Sequence, residues 1–324
     1  MKKIALTILC GAALLIFAFP AFGFMGINYS PFHYPGQSPD LGTPIPDSQI
    51  IADLQTISTR FQVIRTYGVD ATTRLNRIVP LAAQYHPEIK VWLGVYESDQ
   101  FNGAANKIYL DTAISQANTY SNVSAVIVGN ECLPGDPIGA HAVSVAQMIA
   151  DLQYVKAGIT NKSIKVTTCL TYASGATNSN GLEVAPYCDV IMANIYPFYG
   201  GVSIENNQAL ENLINAYQNI FVPRYRGKPV VIGETGWPSA PSDQPINQAV
   251  PSVANEGTFI LAVFNSPNLG DTFLYAAFDE PWGPGNNAWG PHWGIWNENR
   301  VDKFNWGRGG SAGNSAAKSL LLLD

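Results

Sequence analysis

Short apolar runs alternate along the chain with segments whose apolar residues recur every three or four positions. Runs of strand character cover residues 24–29, 62–67, 90–96, 123–129, 164–170, 189–195, 229–233 and 272–278. Residues 48–61 put Ile50, Ile51, Leu54, Ile57 and Phe61 on one helical face. Helical patterns also cover 72–85, 106–120, 143–157, 204–221, 254–264 and 311–322, whereas 174–187 predicts a weaker connection. Strands that are apolar throughout and alternate with amphipathic helices predict a parallel sheet with both faces covered. Eight such units are what a closed (β/α)8 barrel requires, so the expected fold is α/β, a single TIM barrel over residues 24–324. An open doubly wound sheet would carry a glycine-rich phosphate turn after its first strand, and NYSPF at 28–32 offers none.

The first 23 residues stand apart from this rhythm. Lys2 and Lys3 precede an apolar run from Ile4 to Phe19, and Ala21, Phe22 and Gly23 form a small-x-small ending. This is the pattern of a signal peptide, and the run is short for a membrane anchor. Leu9 before Cys10 is not the small residue that a lipidation site wants. A secreted or periplasmic protein is expected, with no membrane association once the leader is removed. That removal takes away two lysines and no acid, leaving 16 basic and 24 acidic residues, and the net charge moves from −6 to −8. An acidic surface argues against nucleic acid as a partner and suits a neutral polymer.

The composition, 47% hydrophobic and 13% charged, supplies a large core and excludes disorder. Cys132, Cys169 and Cys188 remain after export; Cys169 with Cys188 is a possible disulfide, and three buried thiols are the alternative. His33, His86, His141 and His292 show no ligand spacing, so neither a metal nor a cofactor is expected. His33 and His292 fall in rim loops, where a surface position is the default.

Functional residues of such a barrel lie at the C-terminal ends of its strands. The fourth strand runs into Asn130 and Glu131, and the seventh into Glu234. A carboxylate beside a buried strand is costly unless paired, hydrogen-bonded or functional. Two at one rim suit glycosidic cleavage, where one group protonates the leaving oxygen and the other meets the developing positive charge. Tyr29 and Tyr67 end strands one and two and are expected to line the mouth. Phe198 and Trp237 follow strands six and seven. Aromatic faces there would stack on sugar rings, with core packing the alternative for each.

Six segments in register make the pattern specific: GINYSP at 26–31, RTY at 65–67, NIYPF at 194–198, GETGWPS at 233–239, FDEPW at 278–282 and HWGIW at 292–296. Together with the Asn130–Glu131 pair they resemble glycoside hydrolase family 17, the β-1,3-glucanase and glucanosyltransferase family. The resemblance implies a retaining β-glucan glycosidase, an endo-β-1,3-glucan hydrolase, with a covalent glycosyl-enzyme, Glu131 as acid/base and Glu234 as nucleophile. It also implies that Asn130 contacts the sugar 2-hydroxyl, that Tyr196 orients the nucleophile, and that Tyr67 and Phe198 lie near the sugar. Glu280 retains the family's acidic residue after strand eight. Gly283 and Gly290 replace a Lys and a second Glu that many relatives carry, which removes one charge of each sign from that rim. A β-1,3-glucan transglycosylase, a non-catalytic glucan-binding barrel and, from the Gly283 and Gly290 departures, a related retaining glycosidase for another β-glycan are the alternative functions. The partner is expected to be a β-glucan and the chain a monomer.

Overall fold

The computed structural model describes residues 23–99, 103–136, 142–283 and 287–307, with backbone alone for 103–105. The expected leader, apart from Gly23, lies outside the described residues, as do the closing helix at 311–322 and His141. Strands β1 (Met25–Asn28), β2 (Val63–Arg65), β3 (Lys90–Val95), β4 (Val123–Asn130), β5 (Lys165–Leu170), β6 (Ile191–Asn194), β7 (Val230–Thr235) and β8 (Thr272–Leu274) close into a barrel in sequence order. Every neighbouring pair is parallel, including β1 with β8. The chain is a (β/α)8 barrel, as its periodicity predicts.

Helices α1 (Asp47–Ser58), α2 (Ile78–Tyr85), α3 (Gly103–Thr119) and α4 (Val145–Gly158) follow the first four strands. The expected weak connection after β5 holds two short helices, α5 (Tyr172–Ala176) and α6 (Asn180–Val184). After β6 come α7 (Gln208–Asn215), a wider π-helical stretch over Ala216–Phe221, and α8 (Val222–Arg224); α9 (Val253–Phe264) follows β7. Ser144 and Ser252 start α4 and α9 by accepting from the backbone N–H three residues on, which occupies one of the first-turn donors. Two helices start later than periodicity suggests. Arg74 takes a left-handed φ of 69° ahead of α2, and Asn206 and Asn207 take 52° and 61° ahead of α7. Right-handed helix cannot pass through such residues.

Alternation along the strands decides what faces the barrel axis. Trp92, Ala125, Ile127, Cys169, Val190, Met192, Val231 and Phe273 form the interior core. Ile27, Ile64, Val91, Val126, Val166, Ile191, Ile232 and Leu274 belong to the larger core that includes the helices. Cys169 and Cys188 fall in different cores, and Cys132, Cys169 and Cys188 are all free and buried, so the possible disulfide is not made. The last expected strand is cut short. Beyond Leu274 the chain keeps two hydrogen bonds to the barrel wall, from Tyr275 N–H to the Thr235 carbonyl at 2.8 Å and from Ala277 N–H to the Asn28 carbonyl at 2.9 Å, while residues 276–279 also exchange hydrogen bonds with residues 293–296, including Ala276 N–H to the Trp293 carbonyl at 2.8 Å.

Candidate active site

The inward parity that carries Val63 into the barrel also carries Arg65, one step nearer the C-terminal mouth. Its side chain is buried and reaches across the barrel. Nη1 donates to the Gly233 carbonyl at 2.9 Å and to Glu234 Oε1 at 2.8 Å, and Nη2 donates to Asn130 Oδ1 at 2.6 Å. The guanidinium also lies over the Tyr67 ring, 4.8 Å from its centroid. Tyr67, of the same parity, donates to Glu234 Oε1 at 2.9 Å, and Tyr196 donates to Oε2 at 2.8 Å. Glu234 is only 7% exposed, so its charge is met by one cation and two phenols rather than by bulk water.

Strand irregularities bring the second carboxyl to the same mouth. The register shifts between Ile127 and Asn130, and again between Ile232 and Thr235. At the first shift Gly129 adopts φ 71° and Glu131 φ 51°. A Cβ at Gly129 would also stand 2.4 Å from Cys132 Sγ, so glycine is required there on two grounds. At the second, a Cβ at Gly233 would meet Cys169 Sγ at 2.6 Å and Asn194 Oδ1 at 2.8 Å. Glu131 Oε1 accepts from Asn194 Nδ2 at 2.8 Å, and the Glu131 N–H donates to the Cys169 carbonyl at 2.9 Å. Burial, with the Glu234 charge added, pushes the Glu131 carboxyl up to about 7, opposed by the Asn194 hydrogen bond. The two acids therefore sit in different settings, one met by a cation and two phenols and the other by a single side-chain amide.

Asn130, Tyr67 and Tyr196 join this cluster, where the sequence placed them. Glu280 lies beside it, buried, with the Trp282 indole donating to Oε1 at 3.3 Å. Burial pushes its carboxyl up to about 7, against hydrogen bonds from Ser30 and Trp282. Among the described residues no cation pairs with Glu280. Gly283 holds a left-handed φ of 72° beside Pro291.

Three expectations are corrected. Tyr29 shares the outward parity of Ile27; it is fully buried and donates to Asp53 on α1 at 2.8 Å, away from the mouth. Phe198 and Trp237 are also fully buried and pack on each other, with Trp237 against Phe259 of α9 and its indole N–H on the Val250 carbonyl. His33 is not at the surface: one ring nitrogen faces Asp53 at 2.9 Å and the other the Glu298 carbonyl at 2.8 Å. Asp53 thus gathers Tyr29, His33 and Arg300 into a buried polar knot behind the barrel.

Several site residues were not singled out from sequence. Arg65 and Asn194 stand in the sequence only as letters of motifs, and Asn28 on β1 donates through Nδ2 to the Gly233 carbonyl on β7 and the Leu274 carbonyl on β8 beside it. The readable signal for Arg65 is its parity with Val63. The aromatic rim is built by Tyr199, Tyr275, Trp289 and Trp293 around Tyr196. Tyr199 is 48% exposed, which makes it the accessible ring of the group. Among the described residues no group of three or more His, Cys, Asp or Glu is placed to hold a metal ion, and no helix is long and apolar enough to cross a membrane.

Two carboxyls and their donors thus meet at the C-terminal mouth of a closed (β/α)8 barrel, the end where barrels of this class carry their functional residues. Residues 26–294 match the model of the BtgE/BtgC glycoside hydrolase domain, and the chain belongs to that family, within glycoside hydrolase family 17. It is 29% identical over 279 residues to the probable family 17 glucosidase SCW4 of Saccharomyces cerevisiae, covering 85% of this chain and 66% of that protein. It is 26% identical over 293 residues to the probable glucan endo-1,3-beta-glucosidase btgC of Aspergillus fumigatus, covering 84% and 41%. The chain thus spans about two thirds or less of these relatives. The fold is shared with an active-site mutant of Rhizomucor miehei beta-1,3-glucanosyltransferase in complex with laminaritriose. That match has a TM-score of 0.69 at 23% identity and covers 86% of this chain and 95% of that one. An endo-laminarinase from Formosa has a TM-score of 0.68 at 19% identity, covering 85% and 83%.

Proposed function

We propose that this chain is a retaining β-1,3-glucan hydrolase in which Glu234 is the nucleophile and Glu131 the acid/base. The observation that carries this reading is the unequal treatment of two carboxyls at one mouth. Glu234 receives Arg65, Tyr67 and Tyr196, an arrangement suited to a group that attacks as an anion. Glu131 receives one amide and is pushed up to about 7, so it can hold a proton and return it near neutrality. The names of the curated relatives, a glucosidase and a glucan endo-1,3-beta-glucosidase, support the substrate class.

In the first half-reaction Glu234 bonds to the anomeric carbon as the glycosidic C–O bond breaks, and Glu131 transfers its proton to the departing oxygen. In the second, Glu131 takes a proton from water, which attacks the same carbon and releases Glu234. Asn130 gives its Oδ1 to Arg65 and Asn194, which leaves its Nδ2 to donate to the 2-hydroxyl. Tyr199 offers an exposed face for the apolar side of a glucose ring. Residues 1–23 fit export of the enzyme, and the acidic mature chain fits a neutral polymer that carries no charge to repel it.

Laminaripentaose as sole substrate, followed by proton NMR from the first turnovers, tests this. The new reducing end is expected to appear as the β-anomer before mutarotation, and Glu234→Gln is expected to remove turnover while glucan still binds. An α-anomer would overturn retention, and unchanged turnover in Glu234→Gln would overturn the nucleophile. Products longer than the pentaose would show that a sugar hydroxyl replaces water in the second half-reaction.

A further inference from the structure

The hydrogen bonds around Glu131 have a direction, and it is set from the far side of the barrel. Arg65 carries donors only. The Asn130 atom 2.6 Å from its Nη2 is therefore the carbonyl Oδ1. The Asn194 atom that approaches this oxygen, at 3.3 Å, must in turn be a donor, its Nδ2. The same Nδ2 lies 2.8 Å from Glu131 Oε1. Asn194 Oδ1 is consequently turned the opposite way, to Cys169 Sγ at 3.0 Å, and the sulfur has to supply the hydrogen. The barrel register places the partners: Asn130 stands opposite Cys169, and Asn194 opposite Glu234. Cys169 and Asn194 are both buried.

We propose that Cys169 is a positioning residue for the acid/base: its thiol locks Asn194 so that Nδ2 occupies Glu131 Oε1 and the acid proton resides on Oε2. The inference rests on the reading of Glu131 as acid/base. An oxygen that already faces an N–H cannot also carry a proton toward it, so protonation is confined to the other oxygen. If the amide turned over, its Oδ1 would face Glu131 and draw the acid proton onto Oε1, away from the glycosidic oxygen. The turned amide would also set two carbonyl oxygens, of Asn194 and Asn130, against each other. The thiol removes that alternative by satisfying Oδ1 where it is, and a buried carbonyl left without a donor is costly. Burial pushes the Cys169 thiol well above its ordinary range, against the attraction of Arg65, so the S–H persists wherever the enzyme works.

The charged and titratable groups that act on Glu131 are Glu234 from β7, Arg65 from β2 and Asp136 from its own loop. Cys169, Tyr199 and Tyr275 lie within range as well. The test compares kcat/KM for laminaripentaose, whose leaving group needs a proton, with 2,4-dinitrophenyl β-laminaribioside, whose leaving group does not. Glu131→Ala is measured first: if it does not hurt the oligosaccharide far more than the aryl glycoside, the acid/base reading fails whatever Cys169 does. Given that selectivity, Cys169→Ala is expected to lower oligosaccharide turnover about tenfold or more and aryl glycoside turnover less than about threefold. The basic limb of its pH profile moves upward, because a hydrogen bond favouring ionised Glu131 is weakened. Cys169→Ser, which keeps a donor, retains the native ratio. Asn194→Ala reproduces the selective loss, and adding Cys169→Ala to it changes nothing further, as expected of residues acting in series. An unchanged ratio and pH limb in Cys169→Ala, or equal losses on both substrates, would overturn the proposal. Should that variant not fold, an unchanged ratio in Asn194→Ala would overturn it instead.

Discussion

Glu97 follows β3 and is 3% exposed, with neither carboxyl oxygen hydrogen-bonded among the described residues. Burial, with a smaller push from Asp151, raises its carboxyl to about 8. Glu131 and Glu280 are raised to about 7. In each case the fold holds the proton more tightly than the unfolded chain does. The stability this provides is complete below the ordinary carboxyl value of 4.5 and is lost as pH rises through 7 to 8. Thermal unfolding between pH 5 and 9 is therefore expected to show a falling Tm, and Glu97→Gln to remove part of that fall. The native protein should lose on the order of 5 °C more than the variant over this range. Parallel curves would mean that Glu97 ionises in the fold as freely as in the unfolded chain. At this scale the sequence revealed Glu131 and Glu234, acids that follow apolar strands, but not Glu97, which follows β3 in the same way. It concealed Cys169 and Asn194, whose role lies in the direction of a hydrogen bond. It misplaced Tyr29, whose parity with Ile27 sends it outward.

The loop between β4 and α4 carries Glu131 out of the strand and then has to be held down. Asp136 does this from a buried position. Its Oδ2 accepts from the Leu133 N–H at 3.1 Å, and its Oδ1 accepts from the hydroxyls of Thr171, at 2.5 Å, and Ser174. Thr171 is also the residue that caps α5, so one carboxylate ties the Glu131 loop to the start of the next helix. Asp136→Ala is expected to cost about 2–4 kcal/mol in denaturant unfolding, since several hydrogen bonds to a charged group are lost together. It should also lower kcat about tenfold by loosening the acid/base. A cost under about 1 kcal/mol with native kcat would contradict this role for Asp136. Apolar periodicity located every strand but not every end. Residues 275–278 continue the apolar run of β8, and their hydrogen bonds are divided: Tyr275 and Ala277 still donate to the Thr235 and Asn28 carbonyls of the barrel wall, while Ala276 and Ala277 also bond to residues 293–296. Helix starts were missed where Arg74, Asn206 and Asn207 take left-handed φ, which periodicity does not register.

Across the whole molecule, closure of the barrel turns separate strand ends into one site. Arg65 on β2 reaches Glu234 on β7, a contact that exists only because the sheet closes, and Asn194 on β6 reaches over β5 to Glu131 beyond β4. The count of eight apolar runs made that closure legible, and the two acidic rim positions followed from it. The aromatic rim was less legible, since Phe198 and Trp237 fill core while Tyr199 stays exposed, a sorting that depends on α9 and on residues 289–293. The central claim is that Glu234 forms a covalent bond to the sugar. Incubation with 2-deoxy-2-fluoro-β-laminaribiosyl fluoride, followed by peptide mass spectrometry, tests it most directly. One fluorosugar is expected per chain, on the peptide containing Glu234, with none on Glu234→Gln. A label on Glu131, or steady turnover with no labelled peptide, would contradict the account.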